Sequence, residues 1–130
     1  MSLRQDRVRI LAFIKKVDSV SKEEFSRYWV EDHSKIFMSM AIAKTNLLKY
    51  EQAHTNDAIC KVFEGMGMHP PPWDGMATFE AESYEKIFAV FKDEEYLKIV
   101  LPDELKFIDR PNCKMLPLDL APILDRETTE

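Results

Sequence analysis

Residues 7–17, RVRILAFIKKV, are apolar on both sides when taken alternately. Val8, Ile10, Ala12 and Ile14 fall on one face, and Leu11, Phe13 and Val17 on the other. The Val, Ile and Phe content reads as a strand, and a strand apolar on both faces has to be covered twice. One layer of helices hides only one face. A chain of 130 residues is too short to add a second large sheet. A homodimer in which two sheets meet face to face is the economical answer. The length suits one domain, spanning 7–120, with a flexible N-terminus over 1–6 and a C-terminal arm or tail over 121–130.

A helix is expected to follow over residues 21–40. Ser21 with Glu24 three residues on is a capping box. Phe25, Trp29, Ile36, Phe37 and Met40 then recur at three- and four-residue spacing and mark one buried stripe. His33 falls on that stripe, one turn after Trp29, where the pattern calls for an apolar residue. Imidazole changes charge most readily near neutrality, and such groups collect at functional sites. Asp32 adjoins His33 in sequence but points roughly 100° round the helix, so it is a poor direct partner.

The rest of the chain alternates strands and helices. Residues 48–55 read as a strand with Leu48, Tyr50, Gln52 and His54 on one side; if that side faces the helices, Tyr50 and His54 enter the interior with His33. Asn56 or Asp57 caps a short helix through Ala58, Ile59, Val62, Phe63 and Met66, ended by Gly65 and Gly67. In MHPPPWDG, residues 68–75, three prolines impose an extended segment that holds His69 and Trp73 stiffly at the rim of a pocket. Asp74-Gly75 is a turn opening a strand over 76–82, in which Ala77, Phe79 and Ala81 alternate with Thr78 and Glu80. Ser83 caps a second amphipathic helix carrying Tyr84, Ile87, Phe88 and Phe91. It continues with Tyr96, Leu97, Ile99 and Val100 after a break at Asp93. Pro102 is expected to interrupt it. Asp103, Glu104 and Lys106 then read as a capped, solvated turn. Residues 113–120 supply a last strand, weakened by Pro117, which suits a sheet edge or a bulge. The order is that of an α+β, ferredoxin-like β-α-β-β-α-β sandwich with an antiparallel sheet, one face of which is left for a partner.

Composition narrows the function. A net charge of -5 from scattered acids, with no basic stripe, argues against nucleic acid and anionic membranes as partners. The apolar runs are too short to span a bilayer, and residues 1–9 carry no signal core. Cys60 and Cys113 are isolated, as reduced thiols of a cytoplasmic protein would be. There is no GxGxxG, P-loop, GxSxG or HExxH, and three glycines in the whole chain leave little for a phosphate cradle. The three histidines sit on different elements without ligand spacing, so neither metal nor cofactor is expected.

What remains is a pocket of aromatics and a few titratable groups, suited to a flat hydrophobic small molecule. His33 is the candidate general acid or base, with Tyr28 and His54 as further catalytic candidates. Trp29, Tyr50, His69, Trp73, Phe13 and Phe88 are candidate ligand contacts. His33 would take a proton from an acidic carbon beside a ketone or protonate a leaving hydroxyl, with Tyr28 or Tyr50 bonded to the developing enolate oxygen.

The first strand, Ser21-x-Glu23-Glu24-Phe25, Tyr28-Trp29-x-x-x-His33, Asp74-Gly75 and Asp103-Glu104-x-Lys106-Phe107-x-Asp109 together resemble the EthD-domain proteins of the dimeric α+β barrel superfamily. The resemblance runs from residue 9 to about 120. Where that family often continues after the histidine with an Ala-Pro-type element, this chain has Ser34-Lys35-Ile36. The resemblance implies a homodimer with a cavity between sheet and helices in each subunit, and marks His33 as the position that matters. Fungal members commonly sit in polyketide pathways and resemble cofactor-free dehydratases, cyclases or decarboxylases. The expectation is therefore a cofactor-independent lyase or cyclase acting on an aromatic polyketide or similar planar metabolite. The alternatives are a cofactor-free or haem-dependent monooxygenase of the same fold, and a non-catalytic metabolite-binding or accessory protein.

Overall fold

The computed structural model describes residues 2–127. Of the two ends set apart above, Met1 and residues 128–130 lie outside the described residues. Four strands form one antiparallel sheet: β1 (Val8–Ile14), β2 (Leu47–His54), β3 (Gly75–Ala81) and β4 (Lys114–Asp119). Their order is β2-β3-β1-β4, a ferredoxin-like α+β arrangement with β1 near the middle. Pro117 lies on β4, an edge strand, where a missing N–H costs no ladder bond on the open side.

The alternation in β1 has the expected consequence on the inner face, where Ile10, Ala12 and Ile14 are buried. Across the sheet Ala77, Phe79 and Ala81 of β3 are buried as well. On the outer face the register sets Leu11 beside Thr78 and Leu116, and Phe13 beside Met76 and Lys114. Leu11 and Phe13 are only half-buried, and Leu116 is exposed. At the other end of that face Glu80 is buried beneath Arg7 and Arg9, which donate to it at 2.9 and 2.8 Å. Burial works against its ionisation, but the two guanidinium hydrogen bonds outweigh it and hold the carboxyl below its usual range.

The first helical stretch starts where its capping box predicts: Ser21 accepts from the Glu24 N–H at 3.1 Å and α1 runs over Lys22–Tyr28. It is not one regular helix to residue 40. A wide π-type turn, Trp29–His33, separates α1 from α2 (Ser34–Met38), and α3 (Ala41–Asn46) follows. Asn56 caps α4 (Asp57–Gly65), and Gly67 past its end takes φ +84°. Ser83 caps α5 (Tyr84–Lys92), which stops at Asp93 as expected. A second π-type turn, Tyr96–Val100, then runs straight into α6 (Leu101–Glu104). Pro102 therefore does not interrupt the helix. It falls at the start of α6, just past the wide turn in which the Leu101 N–H bonds to the Tyr96 carbonyl, and its fixed φ suits the helix.

Phe25, Trp29, Phe37, Met40, Ile87, Val90 and Val100 pack between these helices and the sheet. Gly75 is the closest approach. A Cβ built there would stand 2.6 Å from the Ala53 carbonyl oxygen and 2.6 Å from Trp29 Cζ3. The glycine that opens β3 thus gives the indole its seat.

Candidate functional site

The π-type turn Trp29–His33 holds both of its aromatic rings inward, each 2% exposed. Wide turns of this kind are frequent at functional sites. The His33 ring stands edge-on to Phe107, centroids 5.1 Å apart, and 6.4 Å from Phe37. Its Nδ1 lies 2.8 Å from Asp103 Oδ2, on α6. The Tyr28 hydroxyl donates to the other oxygen, Asp103 Oδ1. Burial alone would raise the Asp103 carboxyl, but the hydrogen bonds from Tyr28 and His33 prevail and hold it below the usual range. An ionised Asp103 accepts a hydrogen bond from Nδ1–H, so in the neutral ring the lone pair sits on Nε2.

Nε2 faces Glu104, 3.8 Å from Oε2, beyond hydrogen-bond length. The other oxygen, Oε1, accepts from the Tyr96 hydroxyl at 2.7 Å and from Arg110 Nη1 at 3.0 Å. Arg110 Nη1 also donates to the Tyr96 oxygen at 2.8 Å. Burial raises the Glu104 carboxyl above its ordinary range despite these partners. Tyr96 is pushed up as well, first by burial and then by the adjacent Glu104 charge.

Glu104 lines a cavity of about 160 Å³, together with Ala12 and Ile14 of β1, Phe79 of β3, Phe91 and Tyr96. A groove of about 400 Å³ adjoins it, sharing Phe91, Tyr96, Arg110 and Met115 and adding Phe88 and Leu97. His33 lines neither. The hollow lies beyond Glu104, not beside the imidazole.

The remaining sequence candidates divide. Trp29 is a core residue against Gly75. Tyr28 orients Asp103, its hydroxyl pushed up to about 12 by burial and that contact. Tyr50 stacks on Phe79 at 5.3 Å and accepts from Gln52 Nε2 at 3.1 Å, its hydroxyl raised to about 12 by burial. His54 packs at a tilt on Trp29, centroids 4.6 Å apart, and pairs through Nε2 with Gln52 Oε1 at 2.9 Å. Burial and then Lys22 depress its protonation. Tyr50 and His54 line a separate hollow of about 650 Å³ with Ser34 and Met38, at the β2 edge. The Glu104 cavity is bounded by β1, β3 and the start of β4, toward the opposite edge.

Four expected ligand contacts, Phe13, Trp73, His69 and Phe88, lie elsewhere or only at the margin. Phe13 is on the outer face of the sheet, because it alternates with Ala12 and Ile14; there it packs on Trp73 at 5.6 Å. His69 is exposed on the segment joining α4 to β3. Phe88 lines the groove but is 45% exposed.

Asp103 and Glu104 correct the expectation of a solvated turn: Asp103 is 4% exposed and Glu104 faces the cavity. Tyr96 and Arg110 were not singled out either. The signal was the acidic pair in Asp103-Glu104-x-Lys106-Phe107, followed two residues after Phe107 by Asp109. What it lacked was its partner, which lies 70 residues earlier in the chain. Among the described residues no group of three or more His, Cys, Asp or Glu is arranged to hold a metal ion. Among them, too, no helix is long and apolar enough to cross a membrane.

A four-stranded antiparallel sheet backed by helices, with Asp103, His33 and Glu104 grouped on the helical side, defines a ferredoxin-like α+β protein. Within that class the chain belongs to the EthD domain family, whose model matches residues 18–111. The matched stretch holds Tyr28, His33, Tyr96, Asp103, Glu104 and Arg110. No curated protein is similar enough in sequence to count as a relative. Among solved structures, an EthD-like protein from Ralstonia eutropha is 12% identical with a TM-score of 0.56, over 95% of this chain and 97% of that one. The hydroxynitrile lyase of Passiflora edulis is 8% identical with a TM-score of 0.63, over 94% and 100%. A putative antibiotic biosynthesis monooxygenase from Nitrosomonas europaea is 11% identical with a TM-score of 0.54, over 96% and 100%. At these identities the likeness is one of fold.

Proposed function

We propose that this protein is a cofactor-free acid–base enzyme of lyase or cyclase type, acting on an aromatic polyketide or similarly planar hydrophobic metabolite. The observation that carries the reading is the buried Asp103–His33 pair with Glu104 3.8 Å beyond it, at a cavity walled by Phe79, Phe91 and Tyr96. A carboxylate that fixes one ring nitrogen leaves the other to trade protons, the logic of a catalytic triad without its nucleophile. Apolar walls suit a planar guest, and the Arg110 guanidinium, which lines the same cavity, supplies a donor for an oxygen that gains charge. The fold accommodates such chemistry, since one similar structure is a hydroxynitrile lyase.

A haem-dependent reading fits less well. The His33 ring is enclosed, with Nδ1 engaged by Asp103 and no cavity against it, while the His54 Nε2 is engaged by Gln52. The half-buried Leu11 and Phe13 and the exposed Leu116 on the outer sheet face support a homodimer built face to face. Two free thiols suit a reducing compartment such as the cytoplasm.

The test is incubation of the purified protein with hydroxylated polycyclic β-diketones, with products read by mass. Loss of water or of carbon dioxide, or closure of a ring, is the expected outcome, falling at least a hundredfold in His33→Ala. Full turnover by His33→Ala, or products that form no faster than in buffer, would overturn it.

A further inference from the structure

His33 is central to the cluster, yet it cannot itself reach a molecule in the cavity. Its ring is 2% exposed, bordered by Phe107 and Phe37, and lines neither the cavity nor the adjoining groove. The polar side chains that do face the cavity are Glu104, Tyr96 and Arg110, with Lys114 and Cys113 at its β4 side. Of these, Glu104 is the group with a carboxylate oxygen, Oε2, turned toward His33, while Oε1 is held by Tyr96 and Arg110. The carboxylate is clamped at one oxygen and faces the imidazole, 3.8 Å away, at the other.

Size narrows the guest. A buried apolar cavity of about 150 Å³ is known to take one benzene. The 160 Å³ here has room for one six-membered ring, and the adjoining 400 Å³ groove for the rest of a fused system. Arg110 lines both spaces and places a fixed positive charge where the two meet.

We propose that Glu104 is the catalytic residue that exchanges a proton directly with the ligand, and that the ligand is a fused-ring ketone with an acidic C–H beside its carbonyl, the terminal ring seated in the cavity. The proposal rests on the acid–base reading above and assigns His33 as a positioning residue that acts through Glu104. In the forward step the C–H bond breaks and its proton passes to Glu104. The electron pair becomes the enolate double bond, and the charge moves to the oxygen near Arg110 and Tyr96. Where the next carbon carries a hydroxyl, Glu104 returns the proton to it as the C–O bond breaks, so that water leaves and Glu104 is again ionised. Burial, which lifts the Glu104 carboxyl above its ordinary range, makes it a better base for this task than an exposed glutamate.

The test uses the full chain and 2-tetralone, a fused bicyclic ketone, in D₂O. Deuterium entry beside the carbonyl is followed by NMR against pH for wild type, Glu104→Gln and His33→Gln. Wild type is expected to exceed buffer exchange, with a rate that rises through an ionisation above the ordinary glutamate range. Glu104→Gln is expected to lose at least a hundredfold in rate and to lose that ionisation, while still binding 2-tetralone. His33→Gln is expected to keep the ionisation but shift its midpoint. If Glu104→Gln does not fold, Glu104→Asp is expected to keep a carboxylate ionisation at a reduced rate. Wild-type rate and profile in Glu104→Gln, or in Glu104→Asp where that replaces it, would overturn the assignment of Glu104 and leave the acid–base reading standing. A wild-type protein no faster than buffer would overturn both.

Discussion

His33 Nδ1 lies 2.8 Å from Asp103 Oδ2, and this contact joins the first helical stretch to the last across 70 residues. With Tyr28 bonded to the other carboxylate oxygen, Asp103 fixes the imidazole and ties α6 to α1. A buried pair of this kind is costly to break on one side only, because the remaining partner is left unsatisfied.

Asp103→Asn is accordingly expected to cost about 3 kcal/mol of stability at pH 7, measured by urea unfolding. The Asp103 carboxyl is held below its unfolded value. Its stabilisation is therefore present above the usual aspartate range and lost as pH falls through the lower, folded value. The gap between wild type and Asp103→Asn should close on acidification. A gap that stays constant from neutrality to about pH 2 would contradict the account.

Glu104 carries the opposite sign. Its carboxyl is raised in the folded protein, so the native state holds its proton to higher pH than the unfolded chain. Its contribution is whole below the ordinary glutamate value and declines as pH rises through the folded one. At pH 8 Glu104→Gln should be at least as stable as wild type, by up to about 1 kcal/mol, with the difference gone at about pH 4. Activity and stability would then move in opposite directions at one residue.

Gly75→Ala tests the seat of Trp29. The new methyl would meet the Ala53 carbonyl and the indole, each at 2.6 Å, and overpacking of this sort costs about 1–3 kcal/mol. Adding Trp29→Phe should relieve only the indole contact, because the Ala53 oxygen belongs to β2 and is held by the sheet. Thermal unfolding of the single and double variants would show whether that partial recovery occurs.

His54 serves as a control for the site. It belongs to the hollow at the β2 edge, so His54→Gln should keep the proton-exchange rate within about twofold while His33→Gln does not. Equal loss in both would mean that the working hollow is the one at β2.

On the outer sheet face, Leu116→Arg places a charge beside Leu11. Leu116 is 45% exposed in the single chain, so the fold should tolerate the change. Light scattering is expected to find wild type as a dimer and Leu116→Arg as a monomer of unchanged helix content. A monomeric wild type would remove the interface proposal.

Much of the frame was legible along the chain because it rests on short-range physics. Ser21 and Ser83 cap the helices they were expected to cap, and of the two candidates Asn56 and Asp57 it is Asn56 that caps α4, since a side-chain oxygen needs only the N–H three residues on. Alternation in β1 told its two faces apart, and Pro117 pointed to an edge, because a strand's period is two and a proline lacks its donor. Pro102 misled because the preceding π-type turn delivers it into the first turn of α6, a local widening that periodicity does not display.

The site was legible only by half. His33 stood out because it interrupts an apolar stripe, and that much a helix pattern can reveal. Asp103 and Glu104 read as an ordinary acidic turn, since nothing near them in sequence shows what they face. The chain alone determined that an imidazole would be carried inward on the first helical stretch. Which carboxylate would hold it, and which would stand between it and the cavity, was decided only when the sheet brought α1 and α6 together. Burial and charge pairing depend on neighbours in space, and here those neighbours lie 70 residues apart.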